Sequence, residues 1–229
     1  MTIHYDDPAI YDDILLDLPV REGTGLITHD VSKAHRPVTM HNTPTWTEIT
    51  SGLVVPTHDG EDQYMRILAA NSTELNFTSG DYTIAGWIYL ASGGSSMSQE
   101  LISRFELSVS GWELYSYTNG LITMRHNHGG TPLRTGFYSA AWAFDTWYFL
   151  MVTRHLTSGQ FYRDGLPVTT VSDVLVDPGT CNKNLYIGAG AVGASNFHKG
   201  MWYRWRVWPS AKTAAQAGQI YEKEKYRFA

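Results

Sequence analysis

The sequence predicts an all-β sandwich or barrel closed by one short C-terminal helix, and three observations carry that expectation. Turn signals recur at short intervals: Glu22-Gly23-Thr24-Gly25, Asp59-Gly60, Ser79-Gly80, Gly93-Gly94, Asn119-Gly120, Gly129-Gly130, Asp164-Gly165, Pro178-Gly179 and Gly188–Gly193. The runs between them are short and rich in Ile, Val, Leu, Tyr, Phe and Trp, the composition of strands. The chain then closes on a dense aromatic run, Trp202–Trp208, stopped by Pro209 and followed by Thr213-Ala214-Ala215-Gln216. That last tetrad is a capping box: the Thr hydroxyl accepts an amide one turn in, and the Gln reaches back. Ala214, Ala217 and Ile220/Tyr221 share one face of the helix it opens.

A length of 229 residues fits one large β domain, and a single domain over 1–229 is the simplest division. Hydrophobic residues at 43% and aromatics at 13% supply an ample core, and 17% charged residues argue against a disordered chain. Seventeen Lys+Arg against 22 Asp+Glu give a net charge of −5, which disfavours nucleic acid as a partner. The single cysteine, Cys181, has no nearby His and reads as a buried thiol. No run of about 18 apolar residues occurs, so no membrane insertion is expected. The opening MTIHYDDPAIYDD lacks the features of a signal peptide. Synthesis in a cytoplasm is therefore expected, and the sequons at Asn71 and Asn76 would be idle.

Several strands follow from the pattern: Ile14–Val20, Tyr82–Leu90, an alternating half-buried run over 105–110, Tyr148–Thr153, Gln160–Arg163 and Leu185–Ile187. Asn119-Gly120 predicts a two-residue type I′ hairpin loop. In that register Tyr117 faces Ile122, Tyr115 faces Met124 and Glu113 faces His126, so these six share one surface.

The ordered motifs resemble the concanavalin A-like jelly rolls, in particular the laminin-G-like (pentraxin-type) branch. Leu16-Asp17-Leu18-Pro19 with Glu22–Gly25 looks like that family's opening strand and turn. Gly52-Leu53 through Asp59-Gly60-Glu61-Asp62-Gln63-Tyr64, then Tyr82–Ile88, Trp147-Tyr148 and Phe161–Gly165, resemble its successive central motifs. Leu185–Gly188, Phe197 with Gly200, Arg206-Val207-Trp208 and Thr213–Tyr221 match its closing pattern. Two departures stand out: Tyr203-Arg204 occupy a place where the family often has Asp-Glu, and 91–146 match no part of the pattern. The resemblance implies two antiparallel sheets packed face to face, and recognition of a glycan or a protein surface.

Candidate chemistry is sparse. The glucanases of this fold carry Glu-x-Asp-x-x-Glu, and no Glu-x-Asp occurs here. A non-enzymatic module is therefore expected, with a glycoside hydrolase using Glu106 or Glu113 as a remote alternative. Gly188–Gly193 matches the dinucleotide fingerprint by letter, but no helix follows, so it reads as a turn. Asp59, Glu61 and Asp62 crowd one turn and could contribute to a Ca²⁺ site; the other reading is a solvated turn and no cofactor. His126-x-His128 with Glu113 opposite could bind a transition metal, or simply end a polar strand. Tyr115 and Tyr117 could form a sugar platform with Glu113 and His126 binding hydroxyls; equally, the rings could fill the core. In the last strand, Tyr203, Trp205 and Val207 face the core, while Trp202, Arg204, Arg206 and Trp208 offer an interface for a partner, a second copy or a capsid. The functional expectation is a binding or structural module, a component of a virus or phage particle recognising glycan or protein, with a free lectin, calcium-dependent or not, as the alternative.

Overall fold

The computed structural model describes residues 8–94, 96–190 and 195–228. Two antiparallel sheets pack face to face. The first runs β14 (Leu166–Pro167), β13 (Ser158–Arg163), β12 (Trp147–His155), β7 (Tyr82–Leu90), β17 (Lys199–Trp208), β5 (Val54–Asp59), β4 (Thr45–Glu48), with β1 (Leu16–Leu18) also paired to β17. The second runs β15 (Thr170–Ser172), β11 (Arg134–Ala141), β10 (Leu121–Asn127), β9 (Ser110–Tyr117), β8 (Ser98–Glu106), β16 (Leu185–Ile187), β6 (Tyr64–Ile67), β3 (Pro37–His41), β2 (Ile27–His29). No helix among the described residues is long and apolar enough to cross a membrane.

The core fills the space between the inner faces: Leu16, Leu18, Ile84, Ile88, Trp112, Leu114, Ile122, Met124, Phe161, Trp202 and Trp205 are all completely buried there. Each such side chain contributes about 2 kcal/mol of burial. Trp205 lies flat over Gly86, where a Cβ would stand 2.8 Å from the indole, so the glycine in β7 makes room for that ring.

A second apolar layer covers the outer face of the first sheet. The helices α1 (Pro8–Tyr11) and α2 (Ala214–Glu224) lie against it, with Ile10, Trp87, Phe149, Tyr203, Trp208, Ala217 and Ile220 packed together. The capping box forms as expected: the Gln216 amide donates to Thr213 Oγ1 at 3.3 Å, and the Thr213 amide to Gln216 Oε1 at 2.9 Å. The buried face of α2 is Ala217, Ile220 and Glu224, with Ala214 exposed.

Two expectations about strands are corrected. Residues 107–109 form the β8–β9 turn; Leu107 and Val109 are exposed, and Ser108 takes φ +59°. Alternation of small polar and apolar residues imitates a strand there, but the Val109 amide bonds back to the Glu106 carbonyl at 2.9 Å and closes the hairpin. In β17 a bulge between Tyr203 and Arg206, with Arg204 at φ +57°, resets the alternation. Trp202, Trp205 and Val207 face the core between the sheets, while Tyr203 and Trp208 face outward under the helices. Gly188 makes a turn at φ +85° against the Trp202 ring; residues 191–194 of the glycine loop lie outside the described residues.

Candidate functional site

The β9–β10 hairpin decides which side chains reach the open face of the second sheet. Its loop has three residues. Only Gly120 has positive φ, +79°, and its amide donates to the Tyr117 carbonyl at 2.9 Å. Asn119 turns its own side chain onto the Leu121 amide, 3.1 Å away, which holds the turn without a positive φ at Asn119. The observed partners are Ser116–Ile122, Tyr115–Thr123, Leu114–Met124, Glu113–Arg125 and Trp112–His126. Against the two-residue loop the register has slipped by one, and a slip of one moves a whole strand to the other face. Ile122, Met124 and His126 therefore face the core, and the outer face holds Glu113, Tyr115, Tyr117, Thr123 and Arg125.

His126 leaves the candidate sugar site altogether. It bridges the two sheets, fully buried, with Nε2 2.6 Å from the Tyr82 hydroxyl and Nδ1 2.8 Å from the Val176 carbonyl. The carbonyl requires Nδ1 to carry the proton, so Nε2 accepts from Tyr82. Burial lowers its pKa to about 4, although the Val176 carbonyl works the other way. His128 lies beyond β10, and Glu113 is on the opposite face from His126, so no His-His-Glu metal set forms.

On the outer face, Tyr115, Tyr117, Thr123 and Arg125 line a cleft of about 340 Å³ whose far wall is Arg134, Tyr138 and Asp173. Arg125 lies over the Tyr115 ring, 4.7 Å from its centroid, and donates to both the Tyr115 and Tyr117 hydroxyls and weakly to Glu113 Oε1 at 3.5 Å. Tyr115 is 2% exposed and Tyr138 42%, so Tyr115 forms the floor and Tyr138, with half-buried Tyr117, offers the open ring faces. Arg134 is exposed on the same wall. Arg125, Arg134 and Tyr138 were missed by the sequence reading; the shorter loop length placed Arg125 on the wrong face.

Beneath the cleft is a pair of acids. Glu113 is 3% exposed and accepts from Asn127 Nδ2 at 3.0 Å. Glu100 is 1% exposed; its amide donates to the Asn196 carbonyl at 2.8 Å, and its buried Oε2 has no hydrogen-bond partner among the described residues. A register shift between Glu100 and Ile102 in β8 sends Leu101 and Ile102 both to the core and leaves Glu100 and Ser103 on the outer face, the latter opposite Glu113. Burial pushes the Glu100 carboxyl well above the usual range, and the Glu113 charge pushes it further. Burial also raises Glu113, against the opposing pull of Asn127 and Arg125.

The remaining candidates separate. Asp59, Glu61 and Asp62 are exposed; Asp59 Oδ1 accepts the Glu61 amide at 2.9 Å, and no cluster of metal-binding side chains is found among the described residues. The expected Trp202, Arg204, Arg206 and Trp208 interface is not a surface: all four are at most 4% exposed. Trp202 points between the sheets, and the other three are covered by the terminal helices. Arg204 and Arg206 neutralise Asp17 and Glu224 there. Glu106 pairs with Lys183 at 3.5 Å in the β8–β9 region. The Cys181 thiol is buried and free.

This architecture, two large antiparallel sheets with one open outer face bearing a cleft, defines a lectin-like jelly roll. The model of the concanavalin A-like lectin/glucanase superfamily, in its third laminin-G form, matches residues 59–218, and the chain belongs to that superfamily. No curated protein sequence matches the chain. Among solved structures, the binding domain of paraclostridial mosquitocidal protein 1 superposes with a TM-score of 0.74 at 12% identity, covering 93% of this chain and 52% of that one. A domain of botulinum neurotoxin type C, whose cell entry depends on interaction with two ganglioside molecules, gives 0.69 at 14% identity, covering 93% and 51%. The ligand-binding domain of botulinum neurotoxin serotype D, solved in complex with N-acetylneuraminic acid, gives 0.69 at 14%, covering 94% and 52%. The chain thus spans about half the length of the structures it matches, and at these identities the likeness is one of fold.

Proposed function

We propose that the protein is a non-catalytic carbohydrate-binding module that takes a glycan in the cleft between Tyr117, Tyr138 and Arg125. The observation that carries this reading is the composition of the cleft: one exposed and one half-buried phenol ring, Tyr138 and Tyr117, beside two guanidiniums on an otherwise open sheet face. Ring faces suit the C–H surface of a pyranose, and the guanidiniums and Thr123 supply donors for hydroxyls or a carboxylate. Glycan ligands named for the structural neighbours support the class of ligand.

The acids of the site favour binding over hydrolysis. Cleaving a glycosidic bond needs two carboxyls flanking a bond the substrate can bring between them. Glu100 and Glu113 are sealed below the cleft floor, and Glu106 lies in an ion pair with Lys183. Calcium dependence is the second part of the proposal, through Asp59, Glu61 and Asp62, which lie exposed in one turn as hard oxygen donors. A glycan array run with Ca²⁺ and with EDTA tests both parts. Selective binding abolished by Arg125→Ala supports the cleft; binding indifferent to Arg125→Ala and Tyr138→Ala places the ligand elsewhere; loss in EDTA assigns a role to the Asp59 turn.

A further inference from the structure

We propose a second ligand site on the opposite side of the sandwich: an aromatic pocket beside the end of α2 that takes a neutral pyranose through the Asp164 carboxylate and the Trp147 and Tyr226 rings. The proposal stands whether or not the cleft of the second sheet binds a glycan.

The pocket has a volume of about 400 Å³, within the range of small-ligand sites. Three parts of the chain build it: the outer face of the first sheet, the β13–β14 turn, and residues from Tyr221 to Phe228. Trp87 of β7 backs it, 3% exposed, with Phe228 stacked on the indole at a centroid distance of 4.0 Å. Trp147, the first residue of β12, is half-buried and lies 4.8 Å from the Phe228 ring. Tyr226 stands at the rim, 62% exposed. Trp147 and Tyr226 thus leave ring surface open beside a wall that is already packed.

The β13–β14 turn places the polar group. Asp164 and Gly165 take φ +52° and +79°, the paired left-handed geometry of a type I′ hairpin. A Cβ on Gly165 would stand 2.9 Å from Gly218 Cα, so the turn is pressed against α2. The Asp164 amide donates to the Phe149 carbonyl at 2.9 Å, and Asp164 Oδ1 accepts the Phe149 amide at 2.9 Å. One carboxylate oxygen is thereby held. No ion pair engages the group among the described residues: the guanidinium of neighbouring Arg163 lies over the Trp142 and Tyr148 rings, 5.7 Å from each centroid. Burial pushes the carboxyl above its usual range, against the Phe149 amide and the Arg163 charge. An ionised carboxylate can accept about four hydrogen bonds. With one amide in place, Asp164 keeps acceptor capacity facing the pocket, and hydroxyl donors would offset its desolvation.

This mixture selects among ligands. A pyranose offers a C–H face to a ring and hydroxyl donors at its edge, which suits Trp147 and Tyr226 beside Asp164. A carboxylated sugar meets Asp164 as a like charge. An organic ammonium competes with the chain's own cations. Lys225 Nζ lies 5.6 Å from the Tyr221 centroid and pairs with Glu222 at 2.6 Å, and the Arg227 guanidinium lies 5.2 Å from the Tyr226 centroid. The cleft of the second sheet, with Arg125 and Arg134, has the opposite bias. Two sites of different chemistry on opposite faces let one chain bridge two glycans.

The test is a glycan array printed with neutral and acidic oligosaccharides, read with three forms of the chain: wild type, Arg134→Ala/Tyr138→Ala, and Asp164→Asn. Both residues of the double variant are exposed, so it alters the cleft without disturbing the core. Asn tolerates the positive φ of position 164 and can still accept the Phe149 amide, but it puts a donor where the second oxygen accepts. Expected is a set of neutral glycans retained by wild type and by the double variant and lost from Asp164→Asn. For the strongest of them, titration followed by tryptophan fluorescence should show affinity reduced about tenfold or more in Asp164→Asn and about threefold in Tyr226→Ala. Tyr226→Ala carries the test alone should Asp164→Asn not fold. Neutral glycans bound equally by wild type, Asp164→Asn and Tyr226→Ala would overturn the proposal, as would an array on which wild type retains none. Signal lost only in Arg134→Ala/Tyr138→Ala rejects this pocket and keeps the cleft. Signal lost only in Asp164→Asn upholds the pocket and rejects the cleft instead.

Discussion

Both carboxylate oxygens of Asp17 hold the guanidinium of Arg204, at 3.0 and 2.9 Å, under the helix that covers the first sheet. Glu224, on α2, closes the other side of the same cluster onto Arg204 and Arg206 and accepts from Trp87 Nε1 at 2.9 Å. Burial pushes both carboxyls up, but the guanidiniums outweigh it and hold Asp17 and Glu224 below their usual range. A carboxyl lowered on folding contributes stability above its unfolded pKa and loses it as pH falls through the folded value. Removing one member leaves a buried charge unpaired, so Glu224→Ala is expected to cost about 3 kcal/mol near neutral pH. The cost should shrink in acid. Equal costs at both pH values, measured by denaturant unfolding, would contradict this account.

His126 makes a separate contribution to acid sensitivity. Its imidazole titrates near 6.5 when unfolded and near 4 when folded. Protons therefore favour the unfolded chain between those values, and stability is full above the upper one and declines below it. His126→Gln is expected to lose about 1–2 kcal/mol at neutral pH through its two hydrogen bonds, yet to show a shallower decline toward about pH 4.5. Matching slopes for variant and wild type would remove His126 from the acid response.

Tyr138 separates binding from folding. Its ring is 42% exposed, so truncation to Ala leaves the melting temperature nearly unchanged. A ring face stacked on a sugar contributes about 0.5–1.5 kcal/mol, a loss of roughly two- to twelvefold in affinity. Calorimetric titration with an array-selected glycan measures it, and unaltered affinity would move the sugar off this wall.

The hairpin loop can be tested at Gly120. A Cβ there would stand 2.1 Å from the Trp142 carbonyl oxygen at φ +79°, whereas at Gly80, φ +83°, nothing lies within 4 Å. Gly80→Ala carries only the left-handed backbone penalty, about 1–2 kcal/mol. Gly120→Ala adds the clash and is expected to cost about 2 kcal/mol more. Comparable unfolding free energies for the two variants would mean the Trp142 segment yields freely.

The sandwich was legible because its signals are local and repeated. Tyr82–Leu90 and Leu185–Ile187 appear with the boundaries read from sequence, and Thr213–Gln216 caps its helix as its residue types require. The site was half legible. Glu113, Tyr115 and Tyr117 do share a face, since alternation within one strand is local. Their partners depend on loop length, and Asn-Gly is compatible with loops of two or three residues; the Asn119 side chain and the Trp142 carbonyl choose three. The bulges at Leu101 and Arg204 were equally invisible, because each is set by packing across the sandwich. Trp202–Trp208 looked like an interface because Trp and Arg favour buried surfaces of any origin, and here α2 itself is the partner. The expectation of a particle component rested on the opening residues, to which the sandwich is indifferent.

The layer of helices over the first sheet gives the molecule a front and a back. Ile10 near one end of the chain and Ile220 near the other meet in the same outer layer, while the cleft opens from the second sheet on the far side. A label, tether or solid support joined through an exposed α2 residue such as Gln219 therefore sits behind, and leaves Tyr138 and Arg134 facing outward to whatever passes.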